Sequence, residues 1–102
     1  MTPSEFDRGM LLERARRCGD WMVANQVTDR MDANRGRSIR SYDADTHEKL
    51  LAGNWMTGCM AMALLALWKR TGEDPYREAA VLAARYIMSL QVLDREDPHF
   101  GA

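Results

Sequence analysis

Apolar positions recur at helical spacing in three stretches of the chain, and turn-forming residues separate them. In the first stretch Leu11, Ala15, Cys18 and Met22 stand 4, 3 and 4 residues apart, one stripe of an α-helix. Glu13, Arg16, Arg17 and Asp20 fall on the opposite side. Glu13 precedes Arg17 by four residues, the better orientation for a helical ion pair. Pro3 and Ser4 ahead of Glu5, Phe6 and Asp7 read as a helix start, with Ser4 as cap and Asp7 as an imperfect capping-box partner. The first helix is expected over 4–27. Gly19 in its interior costs about 1 kcal/mol of propensity, and the expected reason for it is close approach of a second helix.

The second stretch, between Trp55 and Trp68, carries no charge, and only Thr57 and Gly58 in it are not apolar. Asn54 is the expected cap, and the helix is expected over 54–70. A helix apolar all round is one buried all round. Lys69 and Arg70 meet the negative end of its dipole, and Gly72 follows as the C′ residue. Asp74 as N-cap and Pro75 at the first position then start a third helix, expected over 75–92. It carries Ala79, Ala83, Tyr86, Ile87 and Leu90 on one face, and Val81, Ala84 and Met88 on a second strip.

Between the first and second helices, residues 29–53 lose the helical period. Asp29, Asp32, Asn34, Gly36, Ser38, Asp43, Asp45 and Gly53 are turn formers, and Ser38 to Tyr42 reads as a short extended piece. A loop this long in a compact chain is either functional or disordered. Its Arg, Tyr, His and Asp content favours function.

At 102 residues and 11.7 kDa the chain is one small domain or a fragment of a larger one. Fourteen basic against fifteen acidic side chains give a net charge of −1, which argues against nucleic acid or an anionic membrane as partner. The uncharged run of fourteen residues falls short of the roughly 20 that span a bilayer. With two cysteines and no secretion signal, a cytoplasmic setting is expected. Cys18 and Cys59 sit on apolar helical faces and read as packed small hydrophobes.

A shift of 65 residues aligns the first helix with the third. Of the 23 positions from 14–36 set against 79–101, seven are identical: Ala15, Gln26, Val27, Asp29, Arg30, Asp32 and Gly36. The matches run past the helix end into the following loop, which a shared amphipathic pattern does not require. Such a period marks stacked units that cannot bury their faces alone. The order is helix, long loop, apolar helix, tight turn, helix and the start of a next loop: one and a half helical hairpins. Two flanking helices cannot cover the apolar one, so homo-oligomerisation or the remainder of a longer chain is expected.

Several segments carry a family likeness. Trp21 with Gln26, Tyr86 with Gln91, the run Asn54-Trp55-Met56-Thr57-Gly58, and the turn from Lys69 to Tyr76 together resemble the (α/α) toroid proteins of the six-hairpin glycosidase-like superfamily. That superfamily includes unsaturated uronyl hydrolases, sugar epimerases and toroidal polysaccharide lyases. The likeness covers nearly the whole chain but only the first quarter or so of such a ring. It implies an all-α partial toroid of consecutive antiparallel hairpins, and carbohydrate binding or processing as part of a longer or assembled ring. It implies glycoside-hydrolase-like chemistry only for a full toroid, and transfers no catalytic residue.

The turn at 69–75 closes one end of the hairpin, and the loop 29–53 and the tail from Asp94 lie at the other. A saccharide or uronate site is therefore expected on the loop rim. Trp55 and Tyr42 would be stacking platforms, and Arg37, Asp43 and Asn54 polar contacts, with Asp45 and His47 nearby. Arg30, Arg35, Arg37 and Arg40 form a basic island there. Asp43 and Asp45 offer at most half of the carboxylate pair that glycoside hydrolysis needs, and without a second carboxylate placed across a cleft no catalytic residue is assigned. The segment 32–36 lacks the bidentate Glu of a calcium loop, and His47-Glu48 lacks the second histidine of a zinc helix, so no metal or other cofactor is expected. The competing expectation is a non-enzymatic interaction module that self-associates through the apolar helix 55–68.

Overall fold

A computed structural model describes residues 7–102. Its elements are α1 (Arg8–Asn25), β1 (Ile39–Tyr42), β2 (Lys49–Leu51), α2 (Asn54–Thr71) and α3 (Asp74–Ser89). The described residues are mostly helical, with three helices and one two-stranded sheet. The long connection between the first two helices is thus partly a β-hairpin, and the extended piece foreseen at 38–42 has found a partner in Lys49–Leu51.

α2 and α3 form the central unit. Gly72 ends α2 in the left-handed region at φ 69°, and its N–H closes onto the Trp68 carbonyl. Pro75 falls in the first turn of α3, where no N–H is needed. The caps sit one residue earlier than expected: Gly53 and Glu73 hold the N-cap positions, and neither Asn54 nor Asp74 acts as one. Ser4 lies outside the described residues, and Asp7 is the N-cap of α1, accepting from the Gly9 N–H at 2.7 Å.

The core is one cluster of Met60, Ala61, Leu64 and Leu67 from α2 with Tyr76, Ala79, Ala80 and Ala83 from α3. Alanines on α3 let the two helices lie close. α1 adds Leu12, Ala15, Met22 and Val23 from the side. The predicted α1 stripe is therefore rotated: Leu11 and Cys18 are exposed, and the contact face runs through Gly19 instead. A Cβ at Gly19 would collide with Leu67 and come 3.1 Å from the Tyr76 ring, which explains a glycine inside a helix. The Glu13–Arg17 pair forms on the solvent side at 3.4 Å.

The 65-residue period reappears bond for bond. The Gly36 N–H donates to the Val27 carbonyl at 2.7 Å, and Gly101 to Val92 at 2.8 Å. Val27 donates to Arg37 at 3.0 Å, and Val92 to Ala102 at 2.7 Å. The Asp29 and Asp94 carboxylates each accept an amide two residues on, at 2.9 Å in both loops. Asp32 and Asp97 do the same at 2.8 Å. Gly36 and Gly101 both take positive φ, 101° and 87°. The identities therefore encode one loop built twice, and the tail after Asp94 is that loop closed on itself.

α2 is covered by α1 and α3 on one side only. Trp55 is 82% and Met62 74% exposed, and Leu65 is also exposed. The all-round burial that its composition calls for is not supplied within the described residues.

Candidate functional site

The β-hairpin stands against the first turn of α2. Its strands pair antiparallel with Tyr42 opposite Lys49, Ser41 opposite Leu50 and Ile39 opposite Leu51. The register shift between Ile39 and Ser41 sets Arg40 in a bulge, a device that redirects a side chain. Ser38, at the foot of β1, receives the Ala52 N–H at 2.9 Å and meets the fully buried Thr57 hydroxyl at 3.4 Å. Thr57, one of the two residues breaking the apolar run of α2, thus anchors the hairpin to the helix.

Below this anchor a groove of about 510 Å³ opens between α1, β1 and α2. Trp21 and Met22 form one wall, Ser38, Ile39 and Arg40 the end, and Trp55, Met56, Cys59, Met60 and Ala63 the other wall. A second depression of about 380 Å³ shares Met22 and Ala63 with it and continues along α1 and α2 past Ala15, Cys18, Gly19, Ala66 and Leu67. The two make one apolar trough, polar only at the Arg40 end and at Arg70. Both cysteines are exposed on this trough rather than packed as expected.

Of the five residues expected to meet a saccharide, only Trp55 lines the groove. Arg37 is half-buried and engaged in holding the loop. Its Nε donates to the Ala52 carbonyl at 2.8 Å, its Nη1 to Asn34 at 2.9 Å, and its guanidinium lies 5.8 Å from the Tyr86 ring centre. Asp43 organises the hairpin turn, accepting from the amides of Asp45 at 2.8 Å and Thr46 at 3.0 Å. The Thr46 amide foremost, and then that of Asp45, holds its carboxyl below the ordinary carboxylate range. His47 closes this turn at a positive φ of 59°, and its Nδ1 hydrogen-bonds the Tyr42 hydroxyl. Tyr42 remains half-exposed beside it, and Asn54 is exposed at the start of α2.

The basic island disperses. Arg35 bonds the Thr28 carbonyl at 3.3 Å, Arg37 is held as described, and Arg40 alone enters the groove. Trp21 was not singled out as a site residue by its sequence. The available signal was an aromatic near a helix end, aligned with Tyr86 in the repeat. Among the described residues no cluster of three or more His, Cys, Asp or Glu side chains is placed to hold a metal ion, and no helix is long and apolar enough to cross a membrane.

Compared with protein-family models, with curated proteins and with solved structures, the chain has no match.

Proposed function

We propose that the chain is a unit of a partial (α/α) toroid, completed by further helices, whose groove between Trp21 and Trp55 recognises a saccharide. The observation that carries the reading is Trp55: a tryptophan 82% exposed on the first turn of α2, facing a second half-exposed tryptophan across one groove. Flat aromatic faces stack on the C–H faces of sugar rings, and a few convergent polar groups then fix orientation. Arg40, turned out by the bulge, supplies the cation that a uronate carboxylate would take up. Arg37 and Asp43 hold the rim and Tyr42 braces its turn through His47, and Asn54 stands exposed beside the groove.

Titration with neutral and uronate-containing oligosaccharides, read by tryptophan fluorescence, tests this. A saturable change is expected, lost in Trp55→Ala and, for uronates, weakened in Arg40→Ala. No response to any saccharide at about 10 mM, a concentration at which even weak sites fill, overturns it.

A second reading rests on a different observation, the uncovered face of α2 at Met62 and Leu65 and the apolar trough beside it. An apolar helix laid into such a trough is a common recognition mode, and a second copy of α2 has the required composition. A concentration-independent monomer by light scattering would remove this reading.

A further inference from the structure

The two copies of the repeated loop differ in one respect. Gln26 sends its side-chain amide to the Gly36 carbonyl at 3.1 Å and also to the Ala79 carbonyl of α3 at 2.9 Å, and it is buried. Gln91 makes the equivalent bond to Gly101, at 3.4 Å, and is exposed. A Cβ at Gly36 would run into the Leu82 carbonyl and come 2.9 Å from Tyr86 Cβ, because α3 lies directly on that loop. A Cβ at Gly101 would meet nothing within 4 Å. Yet Gly101 keeps the positive φ and the same hydrogen bonds as Gly36. The loop is shaped for a helix, and the space above it is open.

The adjacent helix face repeats as well. α1 packs through Ala15, Gly19, Met22 and Val23. Moved by 65 residues these positions are Ala80, Ala84, Ile87 and Met88, of which Ala84 and Met88 are exposed, Met88 at 69%. A small residue again stands where a helix would approach closely.

We propose that the Gln91–Gly101 loop and the Ala84–Met88 face of α3 form the docking site for one more helical hairpin of the α2–α3 kind, in repeat register. Its outer helix lies on Gly101 and offers a main-chain carbonyl to the Gln91 amide. Its inner helix covers the flank of α2 beyond α3. The occupant follows from the first copy of the loop, where such a hairpin is the covering element. The inference rests on the partial-toroid reading above and names the surface that takes the next hairpin; it does not depend on saccharide binding, which the fluorescence titration of the unextended chain tests separately.

Because Arg37 and Ala102 are equivalent, a second copy of residues 38–102 joined behind Ala102 continues the register. In this extended chain the amide hydrogens of Val92 and Gly101 exchange at least tenfold more slowly than in the parent. Gln91→Ala lowers the urea midpoint of the extended chain and leaves that of the parent unchanged. Three results overturn the proposal. The added segment gains no helix by circular dichroism. It folds, but Gly101 exchange is unaltered and Gln91→Ala is silent in both chains. Or the parent protects Gly101 by self-association, so that a second copy occupies the site.

Discussion

The Gln26 side-chain amide donates to the main-chain carbonyl of Ala79, 53 residues further along, at 2.9 Å. That bond joins the end of α1 to the buried face of α3, and the same nitrogen reaches the Gly36 carbonyl. One amide thus satisfies two carbonyls in a buried site. Removing a buried partner costs more than the net strength of the bond, because the remaining group is left desolvated. Gln26→Ala is expected to destabilise the chain by about 2 kcal/mol in urea unfolding. Gln91→Ala, its exposed repeat mate, should fall within about 0.5 kcal/mol of wild type.

Gly19 sets the distance between α1 and the α2–α3 pair. Alanine there would recover about 1 kcal/mol of helix propensity but would press on Leu67 and Tyr76. The Leu67 contact is a terminal methyl that can turn aside, so Gly19→Ala is expected to be close to neutral. Gly19→Val adds branched bulk against the Tyr76 ring and should cost about 1–3 kcal/mol. Thermal unfolding of both variants checks the difference, and a neutral Val would show that α1 is not seated there.

The Asp43 turn holds the β-hairpin and is sensitive to acid. Backbone amides of Thr46 and Asp45 stabilise the charged carboxylate, so its folded pKa lies below the unfolded one. The contribution is present above the unfolded value and is lost as pH falls through the folded one. The amides of Asp45 and Thr46 should therefore lose protection in nuclear magnetic resonance exchange below about pH 4, the ordinary aspartate range. Asp43→Ala should show that loss already at neutral pH, with the α2–α3 core intact.

Much of the helical frame could be read from periodicity and punctuation. The apolar run beginning at Trp55 and the Gly72–Pro75 junction place α2 and α3 within one to three residues. The side of α1 that packs could not, because its apolar residues lie on two adjacent stripes and a glycine decides between them. The second strand was hidden for another reason. Lys49–Leu51 is three residues long and largely exposed, so it shows no alternation. Among rim residues, type did not reveal role. Arg37 and Asp43 have the chemistry to bind a sugar, but main-chain groups of the loop occupy them first. The repeat was the most informative signal, since five of its seven identities, Gln26, Val27, Asp29, Asp32 and Gly36, fall on residues that hydrogen-bond within the loop.

Tyr76 links the chain's stability to alkaline pH. Its ring is buried beneath Gly19, and its hydroxyl donates to Asp20 of α1 at 2.7 Å. The hydrogen bond to Asp20 foremost, with burial and the charge of Asp20 behind it, pushes the phenol up to about 12 from the ordinary 10.0. A group whose folded pKa is raised contributes stability that is fully present below its unfolded pKa. That contribution is lost as pH rises from about 10 toward about 12. Tyr76→Phe keeps the ring but removes the donor, and leaves the Asp20 carboxylate to water. The variant is expected to be about 1 kcal/mol less stable than wild type near neutral pH. Urea midpoints of the two chains should converge as pH climbs through this window, since deprotonated Tyr76 no longer donates to Asp20. A gap that stays constant up to about pH 12 would mean that the loss in the variant comes from packing and not from the hydrogen bond.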